Sequence, residues 1–357
     1  MNKKLFGYGL LAGLIAVILA AMGNPPNMAI CIACFIRDIA GSMKFHSAGV
    51  VQYFRPEILG LVLGGFFMAL AKKEFRPSGG SSPGTRFFLG VAMMIGALVF
   101  LGCPTRMILR MAAGDLSAYI GLIGFVLGVF TGAQFLKKGF SLGRSYPIKK
   151  ESGPVFPVVF ALIFIMTLVT PAAFAWSEAG PGSLHAPVFV SLAAGLAFGA
   201  IAYQSRMCFA GGFRDIILMK NFDLATILLG IFIVMTGYNI ATNNFAFVAF
   251  GPVAHAQNLW NILGLYVVGF AAVLLGGCPA RQLVLAGQGS ADSVVTVLGM
   301  FVGAAAAHNF GLAASGAAKA TAEAEAVIGG PGPAGKIAVL VAIVYLFIVA
   351  ITNIRKK

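Results

Sequence analysis

Residues 28–42 read MAICIACFIRDIAGS, and residues 205–219 read SRMCFAGGFRDIILM. Each stretch places a cysteine shortly before an Arg-Asp pair in a chain that is otherwise strongly apolar. Aligned from the first residue, the stretches share Cys31 with Cys208, Ala33 with Ala210, Arg37 with Arg214, Asp38 with Asp215 and Ile39 with Ile216. A thiol and an ion pair repeated at one spacing indicate an internal duplication.

A second pair of matching segments supports the duplication. Residues 102–106 read GCPTR, and residues 277–281 read GCPAR. Cys31 precedes Cys103 by 72 positions, and Cys208 precedes Cys278 by 70. Each half reads as a span, a broken segment, two spans, a GCP segment and a span, and one further span joins the halves. The first half and the joining span cross the membrane five times. Because five is an odd number, the second half starts on the opposite side of the membrane and is inverted relative to the first.

The composition is that of a polytopic membrane protein. Of the 357 residues, 59% are hydrophobic and only 10% are charged, whereas a soluble protein carries about 25% charged residues. The net charge is +14, but the basic residues form short clusters between apolar segments. Membrane topology therefore explains the charge better than nucleic-acid binding does. We expect membrane lipid around the protein and no nucleic-acid partner.

A membrane-spanning helix needs about 20 apolar residues. We predict ten spans, the first of them a span rather than a cleaved signal peptide: 5–22, 54–71, 87–102, 117–136, 156–176, 186–204, 224–242, 259–276, 293–313 and 337–354. Four apolar segments are too short or too interrupted to cross: 26–45, 103–113, 205–220 and 278–288. The predicted fold is an all-α polytopic membrane protein, with about ten transmembrane helices in an inverted repeat and four short re-entrant or broken helices.

This pattern divides the chain into four parts. They are a first inverted repeat at 1–150, a linker span at 151–180, a second inverted repeat at 181–315, and an outside loop with the C-terminal span at 316–357. With ten spans, the Lys and Arg clusters at 3–4, 72–86, 137–150 and 355–357 fall on one side, which we assign to the cytoplasm. Both termini are then cytoplasmic. Cys31, Cys34 and Cys103 approach from outside, and Cys208 and Cys278 approach from the cytoplasm.

The broken segments carry features of helix starts. Pro104 and Pro279 suit the first turn of a helix, which places Cys103 and Cys278 at or beside the N-cap. Asn27 is predicted as the N-cap of the first short helix. A helix start that faces a cavity offers unpaired N–H groups and a positive dipole end, which suit an anion. Irregular backbone at membrane depth must lie within protein or against water, so these segments line a path or a cavity.

Four arginines recur with the cysteines: Arg37, Arg106, Arg214 and Arg281. Ionisable residues within a membrane segment are functional candidates by default. Arg37 and Arg214 each adjoin an aspartate, so these two pairs either contact substrate or hold their loops in place. Arg55, Arg110 and Lys44 have no clear repeat partner, so an extension toward the membrane interface explains them at least as well as a functional role.

Together, five segments resemble the selenium-metabolism branch of the YeeE/YedE membrane proteins: GNPPNMAICIACFIRDIAGS, VVQYFRPEILGLVLGGF, LVFLGCPTRMILRMAAGD, SRMCFAGGFRDI and GGCPARQLVLAGQGSADS. The resemblance runs over essentially the full chain. It implies a bacterial inner-membrane protein with an hourglass-like inverted-repeat fold. In the related thiosulfate transporters, cysteines on short internal helices pass the anion along, and by motif that role falls on Cys31, Cys103 and Cys278. Cys208 is added from the internal repeat, and Cys34 lies where the second repeat has Gly211.

We therefore predict a transporter, not an enzyme, for a small sulfur- or selenium-containing anion. Soft sulfur beside fixed positive charge suits such an anion, and several modest binding sites allow its release. Two alternatives stay open: a thiol redox or sulfur/selenium-transfer enzyme that uses Cys31 and Cys34, and a plain anion channel that uses only arginines and helix ends. The histidines are scattered without metal spacing, so no cofactor is predicted. A cytoplasmic sulfur- or selenium-carrier protein is the protein partner considered.

Overall fold

In the computed structural model, which describes residues 2–317 and 327–354, the chain is built almost entirely from helices. Ten longer helices are α1 (Lys3–Ala21), α3 (Pro56–Ala71), α4 (Pro83–Phe100), α6 (Leu116–Lys137), α7 (Val155–Val169), α8 (Val188–Gln204), α10 (Asp223–Ala241), α11 (Asn258–Leu275), α13 (Ala291–Asn309) and α14 (Pro333–Thr352). Four short helices lie between them: α2 (Ile32–Ser42), α5 (Pro104–Met111), α9 (Phe209–Met219) and α12 (Pro279–Gly287). Two short antiparallel strands, β1 (Ser78–Gly79) and β2 (Tyr146–Pro147), pair with each other.

The lengths of these helices agree with the predicted membrane fold. Within the described residues, nine helical stretches are long and apolar enough to cross a membrane. Three of these stretches combine a longer helix with the short helix that follows it: Pro83–Met111, Val188–Met219 and Asn258–Gly287. The remaining longer helix, α3, is apolar but has only 16 residues. The predicted all-α multi-pass fold is thus confirmed. The basic cluster at 355–357, and much of the loop in the predicted 316–357 segment, lie outside the described residues.

Helices of the first half pack in parallel against helices of the second. α1 pairs with α10, α3 with α8, α4 with α13, and α6 with α11. The contacts advance together along both partners, since Gly60 lies against Leu192 and Gly64 lies against Leu196. By their order in the two halves, α1 corresponds to α8, α3 to α10, α4 to α11 and α6 to α13. Replacing each helix by its counterpart therefore converts the α1–α10 pair into the α8–α3 pair, and the α4–α13 pair into the α11–α6 pair. The packing therefore has the two-fold pattern expected of a duplicated fold.

Glycines allow these parallel pairs to approach closely, as is common in membrane helices. A Cβ atom added at Gly64 would lie 2.3 Å from the backbone oxygen of Leu196, and one added at Gly199 would lie 2.3 Å from the backbone oxygen of Leu61. Because both obstacles are backbone atoms, a side chain at either position would push α3 away from α8.

We expect Gly64→Ala to lower the thermal stability of the purified protein in detergent, because the α3–α8 contact cannot absorb a methyl group. Overpacking of this kind costs about 1–3 kcal/mol. Gly237→Ala in α10 is the matched control, since a Cβ there meets nothing within 4 Å, and alanine is the better helix former. Equal melting temperatures for Gly64→Ala and the wild type would show that the α3–α8 pair is looser than described.

The short helices of the first half lie in the interior of the molecule. Every residue of α2 is buried, and α5 is buried from Pro104 to Arg110. The prediction that Asn27 caps the first short helix is wrong. Asn27 lies in a 3-10 turn at Pro26–Met28, and its side-chain amide donates to the carbonyl of Pro252. The helix α2 begins later, at Ile32, with Cys31 as its N-cap.

Several loops that carry basic residues meet at one end of the bundle. The β1–β2 pair joins the loop after α3 to the loop after α6. The backbone N–H of Ser141 donates to the carbonyl of Asn353, which brings the end of α14 to the same place. Lys72, Lys138 and the end of α14 are thereby brought to one end, here called the basic face.

Candidate functional site

All four repeat-matched cysteines are N-caps of the short helices. Cys31 caps α2, Cys103 caps α5, Cys208 caps α9 and Cys278 caps α12. Pro104 and Pro279 occupy the first helical turn, which confirms the placement expected from the GCP motifs. Four helix N-termini therefore carry a sulfur atom each.

Within α2 and α9 the sulfur itself makes the capping contact. Cys31 Sγ accepts a hydrogen bond from the backbone N–H of Cys34 at 3.4 Å, and Cys208 Sγ accepts one from Gly211 N at 3.2 Å. The contact is the same in both halves, although Gly211 replaces Cys34 in the second. The duplication thus extends from the sequence to the local geometry of the site.

The cysteines form two buried pairs, one in each half. Cys31 Sγ lies 3.9 Å from Cys103 Sγ. In the other half, Cys208 Sγ accepts a hydrogen bond from the backbone N–H of Cys278 at 3.5 Å. All five cysteines are free thiols, and Cys208 is the most exposed of the four repeat-matched ones at 6%. In each half, the cysteine pair therefore brings the N-termini of two short helices together at two sulfur atoms.

Cys34 lies beside the first pair rather than in it. Its sulfur is 4.0 Å from the carbonyl oxygen of Leu101 and 3.8 Å from Nη1 of Arg106. The thiol within hydrogen-bonding distance of Cys31 is that of Cys103. The second half has no sulfur at the position equivalent to Cys34, because Gly211 stands there.

Arg106 is held by backbone carbonyls. Its guanidinium is fully buried and donates to the carbonyls of Leu101 and Asn27. It also donates to Pro252 at 3.2 Å and Val253 at 3.1 Å, in the loop between α10 and α11. Arg106 therefore fastens that loop over the start of α5. Cavities of about 360 and 160 Å³ lie against this loop, away from the basic face.

Arg281, the counterpart of Arg106, lies in a different setting. It is only partly buried and lines a polar cavity of about 350 Å³ with Lys72, Tyr203, Arg206 and other residues. Among the residues that the structure describes, its buried Nη1 atom has no hydrogen-bond partner. Arg281 follows Cys278 by three positions, in the first turn of α12. Arg281 thus joins the second cysteine pair to an open cavity.

Arg37 belongs to a buried cluster of charges. Arg37 Nη2 lies 2.6 Å from Asp38 Oδ1, and Arg55 Nε lies 2.8 Å from Asp38 Oδ2. Arg55 also donates to the carbonyls of Leu184 and Pro181, which fixes the loop before α8. This cluster carries two guanidinium groups and one carboxylate, so it places a net positive charge within and beside α2.

The matching pair in the second half is more open. Arg214 Nη2 lies 2.7 Å from Asp215 Oδ1, and their side chains are 29% and 13% exposed. The corresponding values for Arg37 and Asp38 are 3% and 0%. The Arg-Asp pair is therefore buried in one half and partly solvated in the other.

The expectation that Arg55 and Arg110 reach toward the membrane interface is wrong. Both are fully buried. Arg110 donates to Asp115 at 2.7 Å and to the hydroxyl of Ser117 at 2.6 Å, and its guanidinium lies over the ring of Phe100. An acidic partner only five residues away was the available sequence signal. These ion pairs hold the ends of α2 and α5 in place.

No group of three or more His, Cys, Asp and Glu side chains that could hold a metal ion occurs within residues 2–317 and 327–354. The chemistry available at the site is therefore that of thiols, helix N-termini and guanidinium groups. Such a set can bind an anion with a soft atom, and it can pass that anion between neighbouring sulfur atoms.

Comparison with known proteins agrees with this chemistry. Residues 204–357 match a protein-family model described as Sulphur transport. The match begins at the end of α8 and includes Cys208, Arg214, Cys278 and Arg281. A search of curated proteins finds no match. The family match supports a relationship with the YeeE/YedE sulphur transport family, and it points to a membrane transporter of sulfur compounds rather than to an enzyme.

Proposed function

We propose that the protein carries a small sulfur- or selenium-containing anion, such as thiosulfate or a selenium analogue, across the bacterial inner membrane. The observation that carries the proposal is the pair of buried thiol clusters, one in each half, each built from the N-caps of two short helices. The proposed translocation residues are Cys31, Cys34, Cys103, Cys208, Cys278, Arg37, Arg106, Arg214 and Arg281.

The energetics of moving an anion favour this arrangement. An unpaired ion in a medium of low dielectric costs about 20 kcal/mol by an idealised estimate. Four helix N-termini, with the guanidinium groups around them, offset part of that cost. A polarisable sulfur atom then selects a cargo with a soft atom over a hard oxyanion. Two separate thiol pairs provide several binding sites of modest affinity, here called stations, instead of one site of high affinity, which permits release of the anion.

The proposed path rests on inverted repeats at 1–150 and 181–315, joined by a linker span at 151–180 and followed by an outside loop and C-terminal span at 316–357. If the ten longer helices cross the membrane alternately, α1 and α10 run in the same direction, and so do α3 and α8. The parallel packing of these pairs supports that arrangement. The Cys31–Cys103 pair then serves the outer half of the path, and the Cys208–Cys278 pair serves the inner half.

The orientation can be tested with introduced cysteines. We expect a membrane-impermeant maleimide, added to intact spheroplasts, to label Glu178→Cys and to leave Lys138→Cys unlabelled, because the basic face should be cytoplasmic. Both positions are exposed, and the native cysteines are buried, so background labelling should be low. Permeabilised cells provide the control in which both positions react. Labelling of Lys138→Cys alone in intact spheroplasts would reverse the proposed orientation.

The function itself is tested by uptake into proteoliposomes. Thiosulfate, selenite, selenosulfate and sulfate should be compared side by side at equal concentration, with empty liposomes as the control. We expect saturable uptake of at least one anion that has a soft sulfur or selenium atom, at a rate well above that of sulfate. Sulfate uptake at an equal rate would favour a plain anion channel, and no uptake of any of the four would refute transport of these anions.

A further inference from the structure

The two halves differ at the arginine that follows each GCP cysteine by three positions. The donors of Arg106 are taken up by backbone carbonyls, two of them in the loop that covers α5. Arg281 lines an open cavity instead, and its buried Nη1 atom has no partner among the described residues. A guanidinium nitrogen buried without a partner is costly, so a ligand that accepts its hydrogen bond would be stabilising.

The sequence also differs beside these arginines. Arg106 is followed by Met107, and Arg281 is followed by Gln282. The side-chain amide of Gln282 donates to the carbonyls of Leu275 at 3.1 Å and Gly277 at 3.3 Å. By the repeat alignment, Leu275 corresponds to Phe100, whose carbonyl accepts from Arg110 in the first half. These carbonyls at the end of α11 are thus bound without Arg281, which leaves its guanidinium available to another partner.

The surroundings of Arg281 suit an anion with several oxygen acceptors. Lys72, Arg206 and Arg281 supply three cationic groups to the cavity, and Glu74 is the carboxylate that lines it. Glu74 accepts a hydrogen bond from the hydroxyl of Tyr203, so part of its charge is already compensated. The side-chain amides of Gln204 and Gln288 add further donors to the lining. At about 350 Å³, the cavity has room for a small oxyanion and several water molecules.

The cavity lies next to the second cysteine pair. Arg281, which lines it, follows Cys278 by three positions in the first turn of α12. Lys72 ends α3 at the basic face, so the cavity opens on that side of the protein. A ligand in this cavity can therefore place one end against Arg281 and be open to solvent at the other.

We infer that the Arg281 cavity is a binding site for a tetrahedral oxyanion group, such as sulfate or a sulfonate-like end, held by Arg281, Arg206 and Lys72. Its place as the inner station of the transport path rests on the proposed function. Oxyanion binding does not, because it follows from the geometry and charge of the cavity alone. Chloride lacks the several acceptor atoms that these three cations can engage together, so the site favours oxyanions over chloride.

Sulfate binding to the purified full-length protein in detergent tests the site. Calorimetric titration should be run at constant ionic strength, with chloride as the balancing anion, because exposed charges are screened by salt. A charge-assisted hydrogen bond contributes about 1.5–3 kcal/mol, so Arg281→Gln and Arg206→Gln should each bind sulfate at least about ten-fold more weakly. Lys72→Gln should weaken binding as well, whereas Lys73→Gln, at the exposed neighbouring position, should bind like the wild type.

Melting temperatures without sulfate show whether each variant is folded. If Arg281→Gln does not fold, Lys72→Gln still tests the site. Unchanged affinity in the Arg206 and Lys72 variants would overturn the site, and so would equal weakening by Lys73→Gln. Cys278→Ser should still bind sulfate. Weak binding by Arg206→Gln with normal uptake would remove the site from the path without affecting transport. Normal sulfate binding by a wild-type protein that transports none of the tested anions would leave the site intact and refute the proposed function.

Discussion

Asp38→Asn is expected to destabilise the protein by about 3–5 kcal/mol, because it leaves two buried guanidinium groups without a counter-charge. Asp38 accepts from Arg37 at 2.6 and 2.9 Å, and from Arg55 at 2.8 Å. All three side chains are at most 3% exposed. The neutral amide of asparagine cannot compensate their charge, and its own N–H groups would oppose theirs. We expect loss of the folded form in detergent at temperatures where the wild type is stable.

Asp215→Asn is the matched control, because it changes the same residue of the same motif in the other half. Asp215 pairs with a single arginine, and Arg214 is 29% exposed. Pairs with access to water contribute about 0–1 kcal/mol. The measurement is the melting temperature of each purified variant, followed by fluorescence-detected size exclusion. If Asp38→Asn and Asp215→Asn melted together, the burial of the Arg37–Asp38–Arg55 cluster would have no energetic consequence, and its structural role would be refuted.

The sequence left two roles open for the Arg-Asp pairs, substrate contact and stabilisation of a loop. The two Arg-Asp pairs look equivalent as sequence, so substrate contact and loop stabilisation were equally reasonable for both. The structure brings Arg55 to Asp38, which no local pattern could predict, because Arg55 lies 17 positions away and after a loop. In the second half Arg214 keeps access to solvent. A role in substrate contact therefore suits Arg214 better than Arg37.

The parts of the site that could be predicted are those set by local chemistry. Pro104 and Pro279 each fix a helix start because proline suits the first turn, and the cysteine before it becomes the N-cap. Asn27 has an equally good local signal, yet it lies within a 3-10 turn and donates to Pro252 far along the chain, and α2 starts only at Ile32. Arg106 and Arg281 look identical in their motifs. Their different settings depend on distant loops, since Arg106 donates to Pro252 and Val253, about 146 positions further along the chain, which no local pattern could predict.

The strongest functional effect is expected from the cysteines. Serine keeps the size and one hydrogen-bonding group of cysteine, but it removes the soft, readily ionised sulfur. If the stations act in series, Cys31→Ser, Cys103→Ser and Cys278→Ser should each reduce uptake at least about ten-fold. Cys34→Ser should have a smaller effect, because Gly211 replaces it in the second half. Each variant should be compared at equal amounts of reconstituted, folded protein.

The same panel separates the two alternative functions. A redox or sulfur-transfer enzyme based on Cys31 and Cys34 would require both of these residues equally and would tolerate Cys278→Ser. The sulfur of Cys103 lies 3.9 Å from that of Cys31, whereas Cys34 contacts the Cys31 sulfur through its backbone N–H, which agrees better with the series of stations. A plain anion channel would tolerate every serine substitution and lose activity only when arginines are replaced. Each mechanism therefore predicts a different pattern of active and inactive variants.

Cys278→Ser is the most direct test of transport through the two thiol pairs, because this cysteine belongs to the inner pair and has no role in a redox site at Cys31 and Cys34. The measurement is the initial rate of uptake into proteoliposomes, using the anion that the wild type carries fastest. Transport through the two thiol pairs in series predicts an uptake rate at least about ten-fold below that of the wild type, with the protein folded and its sulfate affinity retained. A rate near that of the wild type would contradict transport through the two thiol pairs.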